Sequence, residues 1–212
     1  MFEYVPKKEY QPIRLEVEKV ILGVQKELRT SNGIKFQYNL IGSAGKRNLI
    51  TRVKNGNQGY DFDYNFDIQK VNENYDDPKI IKQIFMKAFN KYFGPGYENA
   101  EDSTSVFTIK LVDKAKSKII HSFDFAIVNN CEDEDGNARQ EYIRFDKNII
   151  GYSWALRPLK KDYSYLESEI KINGLWNELR ELYLVNKNKE PTKKSRIVYY
   201  QTLEAIFDKN FQ

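Results

Sequence analysis

The amino-acid sequence predicts an α+β fold, in which a mixed, antiparallel-rich sheet carries helices and a helical part follows at the C-terminus. Two patterns predict it. Before about residue 150, several segments alternate apolar with polar residues, as half-buried strands do. Beyond that point, apolar residues recur at three- and four-residue steps, as on one face of a helix. We therefore expect a core of residues 1–150 and a helical C-terminal part, residues 151–212, that packs on it.

The elements follow from these two periods, taken in chain order. Pro12 suits the first turn of a helix, and Asp76-Asp77-Pro78 opens another. We predict strands over residues 34–41, 60–71, 105–112, 118–128 and 139–145. We predict helices over residues 12–29, 76–92, 165–172, 175–184 and 195–207.

Composition limits the classes of protein to which the chain can belong. The formal net charge of +4 is a mild basic bias, well short of that of a dedicated nucleic-acid-packing protein, and it suits a polyanionic ligand. The single cysteine, Cys131, excludes an intrachain disulfide. No apolar run approaches the roughly 18–20 residues that cross a bilayer. We expect a cytoplasmic protein with no membrane partner.

Three short motifs in the core carry the chemistry. Gly42-Ser43 directly follows a predicted strand, where backbone can approach a ligand. Asp61 and Asp63 alternate on the next strand, so their side chains share one face with α-carbons about 6–7 Å apart. Asp124 stands in an otherwise apolar strand, where an unpaired charge is costly. Together the three carboxylates predict a site for divalent cations.

This set of motifs resembles the polymerase-beta-type nucleotidyltransferase superfamily over about residues 34–128. The sequences Asp61-Phe62-Asp63-Tyr64 and Ser122-Phe123-Asp124-Phe125-Ala126 are similar to bacterial relatives of cyclic GMP-AMP synthase. The resemblance implies a nucleotidyltransferase fold and an enzyme that is two-metal-ion-dependent and releases pyrophosphate. It implies that Gly42 and Ser43 hold a nucleoside triphosphate, and that Asp61, Asp63 and Asp124 are catalytic and bind Mg²⁺ or Mn²⁺.

The implied reaction transfers a nucleoside monophosphate from the triphosphate to an acceptor hydroxyl, and makes a cyclic or linear oligonucleotide signal. The third carboxylate would help to deprotonate the hydroxyl. Two alternatives stay open: a catalytically inactive nucleotide-binding or interaction module, and a transferase that modifies RNA or protein. The acceptor, whether nucleotide, RNA or protein, is left undetermined.

The chain departs from the superfamily pattern in three ways. Ser43 and Asp61 are 18 positions apart, which is longer than the usual connection. Gly45-Lys46-Arg47 stands where the family has a further glycine-threonine. The chain is also shorter than typical nucleotide second-messenger synthases. These departures bear on the assignment of the subfamily and of the product more than on the assignment of the fold.

Several other residues are weaker candidates. Lys46 is assigned to triphosphate binding, although loop cations are often only solvated, and Arg47, Lys160 and Lys161 are further candidates for phosphate contact. The tyrosines and tryptophan at positions 152, 154, 163 and 165 could stack on a base or simply pack between the two parts. Asp67 lies about 13 Å along the strand from Asp63 and is expected to be structural or solvent-facing. His121 has the opposite strand parity to Asp124 and should face away from it.

Overall fold

A seven-stranded mixed sheet forms the centre of the protein, in a computed structural model that describes residues 1–71, 76–159 and 161–211. The strands are β1 (Phe2–Tyr4), β2 (Lys35–Ile41), β3 (Thr51–Val53), β4 (Tyr60–Lys70), β5 (Glu101–Asp102), β6 (Phe107–Asp113), β7 (Lys118–Glu132), β8 (Ala138–Asp146) and β9 (Gly151–Leu156). The helices are α1 (Lys7–Ser31), α2 (Pro78–Tyr92), α3 (Ser164–Ile172), α4 (Trp176–Lys189) and α5 (Ser195–Phe211). This α+β architecture confirms the predicted fold class.

The long strand β7 organises the sheet. Five strands lie in the order β2-β4-β7-β6-β5, β8 pairs with the second half of β7, and β9 pairs with β8. Strands β4 and β7 run parallel, whereas every other neighbouring pair described is antiparallel. Strands β1 and β3 form a separate two-stranded ribbon. The sheet is therefore mixed and antiparallel-rich.

Aromatic rings fill the core between the sheet and helices α1 and α2. Phe66 of β4 stacks on Phe89 of α2 with ring centroids 5.3 Å apart, and on Phe125 of β7 at 5.1 Å. Phe62 and Phe123 stack in the same way across β4 and β7, at 5.6 Å. All five rings are fully buried. Because strand side chains alternate, the residues that lie between these phenylalanines along β4 and β7 point to the opposite face of the sheet.

A second, smaller core joins the three C-terminal helices. It includes Leu49 from the segment between β2 and β3, which is 2% exposed. The buried members on the helices are Ile170, Leu179, Tyr183, Val198, Tyr199, Leu203 and Ile206. The helices thus bury their apolar faces against one another, and Leu49 anchors the segment after β2 to this core.

The structure corrects two boundaries that the sequence predicted. Helix α1 begins at Lys7 and contains Pro12, because Tyr10 in its first turns is buried in the main core. Residues 151–156 form strand β9 of the main sheet, and the C-terminal helices begin only at Ser164. The division into residues 1–150 and 151–212 therefore does not coincide with the change from strands to helices, and as a domain assignment it remains a prediction.

A buried ion pair links α2 to the edge of the sheet. Lys82 Nζ lies 2.6 Å from Asp102 Oδ1 and donates to the Ser103 carbonyl oxygen at 2.7 Å. Tyr152 of β9 donates its hydroxyl to the second oxygen of Asp102 at 2.5 Å. Tyr152 is therefore a structural side chain of the main sheet, and among the described residues it does not pack between the core and the C-terminal helices. In the described ranges, no helix is both long and apolar enough to cross a membrane.

Candidate active site

Three aspartates lie on the sheet face opposite the aromatic core, which we call the acidic face. Asp63 of β4 and Asp124 of β7 are direct Cα partners in the parallel pair. Asp61, two residues before Asp63, is paired with Ser122 and points to the same side. The structure thus places the acidic trio (Asp61, Asp63 and Asp124) on one face of the sheet, although Asp124 lies 61 positions after Asp63 in the sequence.

Desolvation raises the pKa values of the three carboxylates, and repulsion within the trio adds to the rise at Asp63 and Asp124. Burial, and then the charges of Asp61 and Asp124, raise the pKa of Asp63 to about 7. Asp61 keeps an exposed surface, yet partial desolvation by the surrounding elements raises its pKa. Burial raises the pKa of Asp124, and the charge of Asp61 adds to that rise. Carboxylates that disfavour one another's ionisation are close neighbours, and a cation among them would relieve the repulsion.

The donor chemistry of the trio fits a hard divalent cation. Carboxylate oxygens are the ligands that Mg²⁺ and Mn²⁺ prefer. As the side chains stand, no group of three or more His, Cys, Asp or Glu within the described residues is arranged to hold a metal ion. The trio supplies oxygen donors of the kind that such a cation prefers.

Gly42 brings the turn after β2 against the trio. Ile41, the last residue of β2, pairs with Asp63, so the next residue lies directly beside that carboxylate. Gly42 adopts a φ of +65°, a conformation that favours glycine, and a Cβ atom at this position would collide with Asp63 Oδ2. Ser43 follows in a short 3-10 turn, and its carbonyl oxygen accepts a hydrogen bond from Leu49 N at 2.8 Å. Only glycine can bring the backbone so close to the acidic trio.

Lys46 and Arg47, which follow this turn, differ in their surroundings. Lys46 is exposed. The Arg47 guanidinium donates to Glu167 at 3.1 Å and lies 4.2 Å from the centre of the Tyr199 ring. Tyr199 donates its hydroxyl to the same Glu167 oxygen at 2.8 Å. Arg47 therefore ties the turn to helices α3 and α5, and its contact with phosphate stays a prediction.

Lys187 is a site residue that the sequence did not identify. It is 6% exposed on α4, donates to Ser195 Oγ, and has no carboxylate within ion-pair distance in the described part of the chain. Burial lowers the pKa of Lys187, and the charge of Asp61 acts against that shift. Lys187 is thus a buried ammonium that has a hydroxyl partner but no carboxylate partner and lies within electrostatic range of Asp61, which suits it to an anionic ligand.

A sequence signal for Lys187 existed. Leu179, Tyr183 and Lys187 fall at four-residue steps on α4, and all three are buried. A lysine at a core position of a helix is unusual unless it has a partner or a function. The helix predicted over residues 175–184 ended before Lys187, whereas α4 continues to Lys189.

Asp67 and His121 lie apart from the trio, as predicted. Asp67 is 8% exposed, and its Oδ2 atom accepts a hydrogen bond from Asn130 at 2.5 Å. It is structural and buried. His121 lies on the aromatic side of β7, where Nε2 is 3.1 Å from the Tyr97 hydroxyl, and burial lowers its pKa to about 4. Neither side chain joins the catalytic candidates.

The remaining candidates near the helices are mostly engaged with protein. Tyr163 stacks on Tyr200 with ring centroids 4.2 Å apart, and Lys161 pairs with Glu204 at 2.9 Å. Trp154 packs against the main core, and Tyr165 remains 62% exposed. Lys160 lies outside the described residues.

Solved structures with this fold are known from bacterial nucleotidyltransferases. The GTP-bound form of DncV from Vibrio cholerae aligns with a TM-score of 0.53 at 14% identity, over 81% of this chain and 45% of that one. The chain has the nucleotidyltransferase fold of DncV. A CD-NTase of Bradyrhizobium diazoefficiens, CdnG in complex with GTP, aligns over 73% of this chain and 40% of that one, with a TM-score of 0.48 at 12% identity.

This likeness confirms the resemblance to cyclic GMP-AMP synthase relatives at the level of the fold. The chain spans less than half the length of these solved structures. No protein-family model matches the sequence, and no curated protein matches it either.

The raised pKa of Asp63 predicts how stability changes with pH. In the unfolded chain the proton leaves near the ordinary value of 3.8, whereas the folded protein holds it until about pH 7. Folding takes up a proton between these values, so stability should fall as pH rises from about 4 to 7. Asp63→Asn removes the cost of ionisation. In EDTA at pH 8 we expect the variant to resist urea better than the unaltered protein, by on the order of 2 kcal/mol.

Well below pH 3.8 the two proteins should be equally stable, since Asp63 is then protonated in both the folded and the unfolded state. The exposed Asp135→Asn change in the turn after β7 is the control and should alter stability little at either pH. An unaltered protein at least as stable as Asp63→Asn at pH 8 would contradict the electrostatic description of the trio.

Proposed function

We propose that the chain catalyses divalent-cation-dependent transfer of a nucleoside monophosphate from a nucleoside triphosphate to an acceptor hydroxyl, with release of pyrophosphate. One observation carries the proposal. Asp63 and Asp124 are register partners on adjacent parallel strands, with Asp61 on the same face and the Gly42 turn against Asp63. This arrangement supports a site in which three carboxylates on one face of the sheet act together with a backbone turn that approaches Asp63 closely.

The acidic trio is proposed to hold Mg²⁺ or Mn²⁺, which would neutralise the charge of the triphosphate and of the reacting oxygens. In the reaction, the acceptor oxygen forms a bond to the α-phosphorus while the bond from that phosphorus to the pyrophosphate oxygen breaks. Asp124 would accept the hydroxyl proton. The rest of catalysis is positioning and charge neutralisation, which requires carboxylates and donors and no protein nucleophile.

The triphosphate would lie between the sheet and the C-terminal helices. Gly42 and Ser43 offer a turn whose backbone reaches the trio, and exposed Lys46 adds positive charge beside it. From the opposite side, buried Lys187 would offset the negative charge of the phosphates. Because Arg47 joins the turn to α3 and α5, the turn and the C-terminal helices would keep a fixed position relative to each other.

The proposed product is a cyclic or linear oligonucleotide signal. The DncV structure that shares the fold was determined with GTP bound, which favours a nucleoside triphosphate as the ligand class. The mild net charge of +4 leaves a transferase acting on RNA or protein as the second enzymatic candidate. Label on a macromolecule after the reaction would identify that candidate, whereas label in small products would support the oligonucleotide signal.

The function is tested by incubating the protein with each of the four nucleoside triphosphates, singly and in pairs, with Mn²⁺. We expect pyrophosphate release and nucleotide products resolved by mass spectrometry. Asp63→Asn should reduce the rate by at least about 10³-fold because it removes a carboxylate from the reacting centre. Its fold should persist, as shown by circular dichroism.

The inactive-module alternative makes the opposite prediction. Such a protein would bind nucleotide without releasing pyrophosphate under any combination of triphosphates and Mn²⁺. Full activity in the Asp63→Asn variant would equally refute the assigned site.

The role of Lys187 is separable from that of the trio. Lys187→Met keeps the length of the side chain and removes its charge, so we expect KM for the triphosphate to rise about 10- to 100-fold. Without nucleotide, the variant should be at least as stable as the unaltered protein, since a buried charge has been removed. Lys189→Met, on the exposed side of the same helix, is the matched control. An unchanged KM in Lys187→Met would contradict this role.

A further inference from the structure

The third carboxylate of the trio differs from the other two in having a side-chain partner. Thr108 Oγ1 donates a hydrogen bond to Asp124 Oδ1 at 2.5 Å. In the described part of the chain, neither Asp61 nor Asp63 receives a side-chain hydrogen bond. A short O–H···O bond to a carboxylate is among the stronger neutral-donor interactions in proteins.

The sheet topology places this bond on the side of Asp124 that faces away from Asp63. Asp124 is the Cα partner of Asp63 across the parallel pair β4–β7, and of Thr108 across the antiparallel pair β6–β7. The hydroxyl therefore engages one carboxylate oxygen from the β6 side. The other oxygen, Oδ2, has no hydrogen-bond partner within the described ranges and remains available.

Lys110, the neighbouring cation on β6, does not replace Thr108 as the direct partner of Asp124. Lys110 lies two residues beyond Thr108 on the same face, and its ammonium is 2.6 Å from Glu101 Oε2. Its charge is thus largely paired with another carboxylate. The direct contact that fixes the direction of the Asp124 side chain comes from Thr108.

We propose that Thr108 is a positioning residue, whose hydroxyl holds Asp124 so that its unengaged oxygen can bind a divalent cation together with Asp63. The inference rests on the cation site of the proposed function and goes beyond it by assigning a residue outside the trio. Hydrogen bonds to ligating side chains orient those ligands and tune metal affinity, and their loss typically costs about 10- to 100-fold. Freed from Thr108, the Asp124 carboxylate could rotate away from the charges of Asp61 and Asp63.

The test compares Thr108→Val, which keeps the shape and removes the hydroxyl, with Thr108→Ser, which restores it. Mn²⁺ binding to the nucleotide-free protein is titrated by electron paramagnetic resonance. We expect about 10- to 100-fold weaker binding in the valine variant and a value within about 3-fold of the unaltered protein in the serine variant. Ser122→Ala removes a hydroxyl from the same face of β7 and should leave Mn²⁺ affinity unchanged.

Pyrophosphate release, measured against Mn²⁺ concentration, gives a second readout. In Thr108→Val the Mn²⁺ concentration for half-maximal rate should rise, while KM for the triphosphate at saturating Mn²⁺ stays the same. Thr108→Ala serves the same comparison should the valine variant fail to fold.

The outcomes separate this inference from the proposed function. If the unaltered protein binds Mn²⁺ and Thr108→Val binds it equally well, the positioning role is overturned and the transferase proposal stands. If Thr108→Val weakens Mn²⁺ binding but no triphosphate yields pyrophosphate, the positioning role is supported and the transferase proposal fails. A protein that binds no Mn²⁺ at all would overturn both.

Discussion

The pairing register of β4 and β7 is the constraint on which the rest of the site depends. It sets Asp63 beside Asp124 on one face and, by alternation, Phe62 beside Phe123 on the other. The same strands therefore carry a stacked aromatic core and a cluster of like charges. A slip of one residue would turn the aspartates into the core and the rings into solvent, at a prohibitive cost. Burial of the rings thus holds in place carboxylates that repel one another.

The second requirement of the site is that the turn after β2 and the C-terminal helices face the trio together. The turn reaches the carboxylates because Gly42 has no side chain. Its continuation is attached to the helices through Arg47 on Glu167 and Tyr199, and through Leu49 in the helical core. The same helices present Lys187 toward Asp61. The candidate site therefore combines carboxylates on the sheet with a buried ammonium on α4.

Local periodicity predicted much of the fold and the trio. The alternation within β4 placed Asp61 and Asp63 on one face, and the apolar setting of Asp124 marked it as a charge in need of a partner. Local periodicity did not predict features that depend on contacts between residues far apart in the sequence. Strand β9 was missed although Tyr152 and Trp154 alternate with Ser153, because the segment was assigned to the helical part that follows it. The contact of Arg47 with Glu167 was not predicted because the two residues lie 120 positions apart. The Thr108 contact depends on the β6–β7 register, which no local pattern encodes.

The most direct test is to locate Mn²⁺ by anomalous diffraction in crystals grown with a non-hydrolysable nucleoside triphosphate analogue. We predict anomalous peaks about 2.1 Å from oxygens of Asp63 and Asp124, with Asp61 also a ligand and the phosphates beside Gly42 and Lys187. Well-ordered nucleotide with no metal at these carboxylates, or with the carboxylates turned apart, would contradict it.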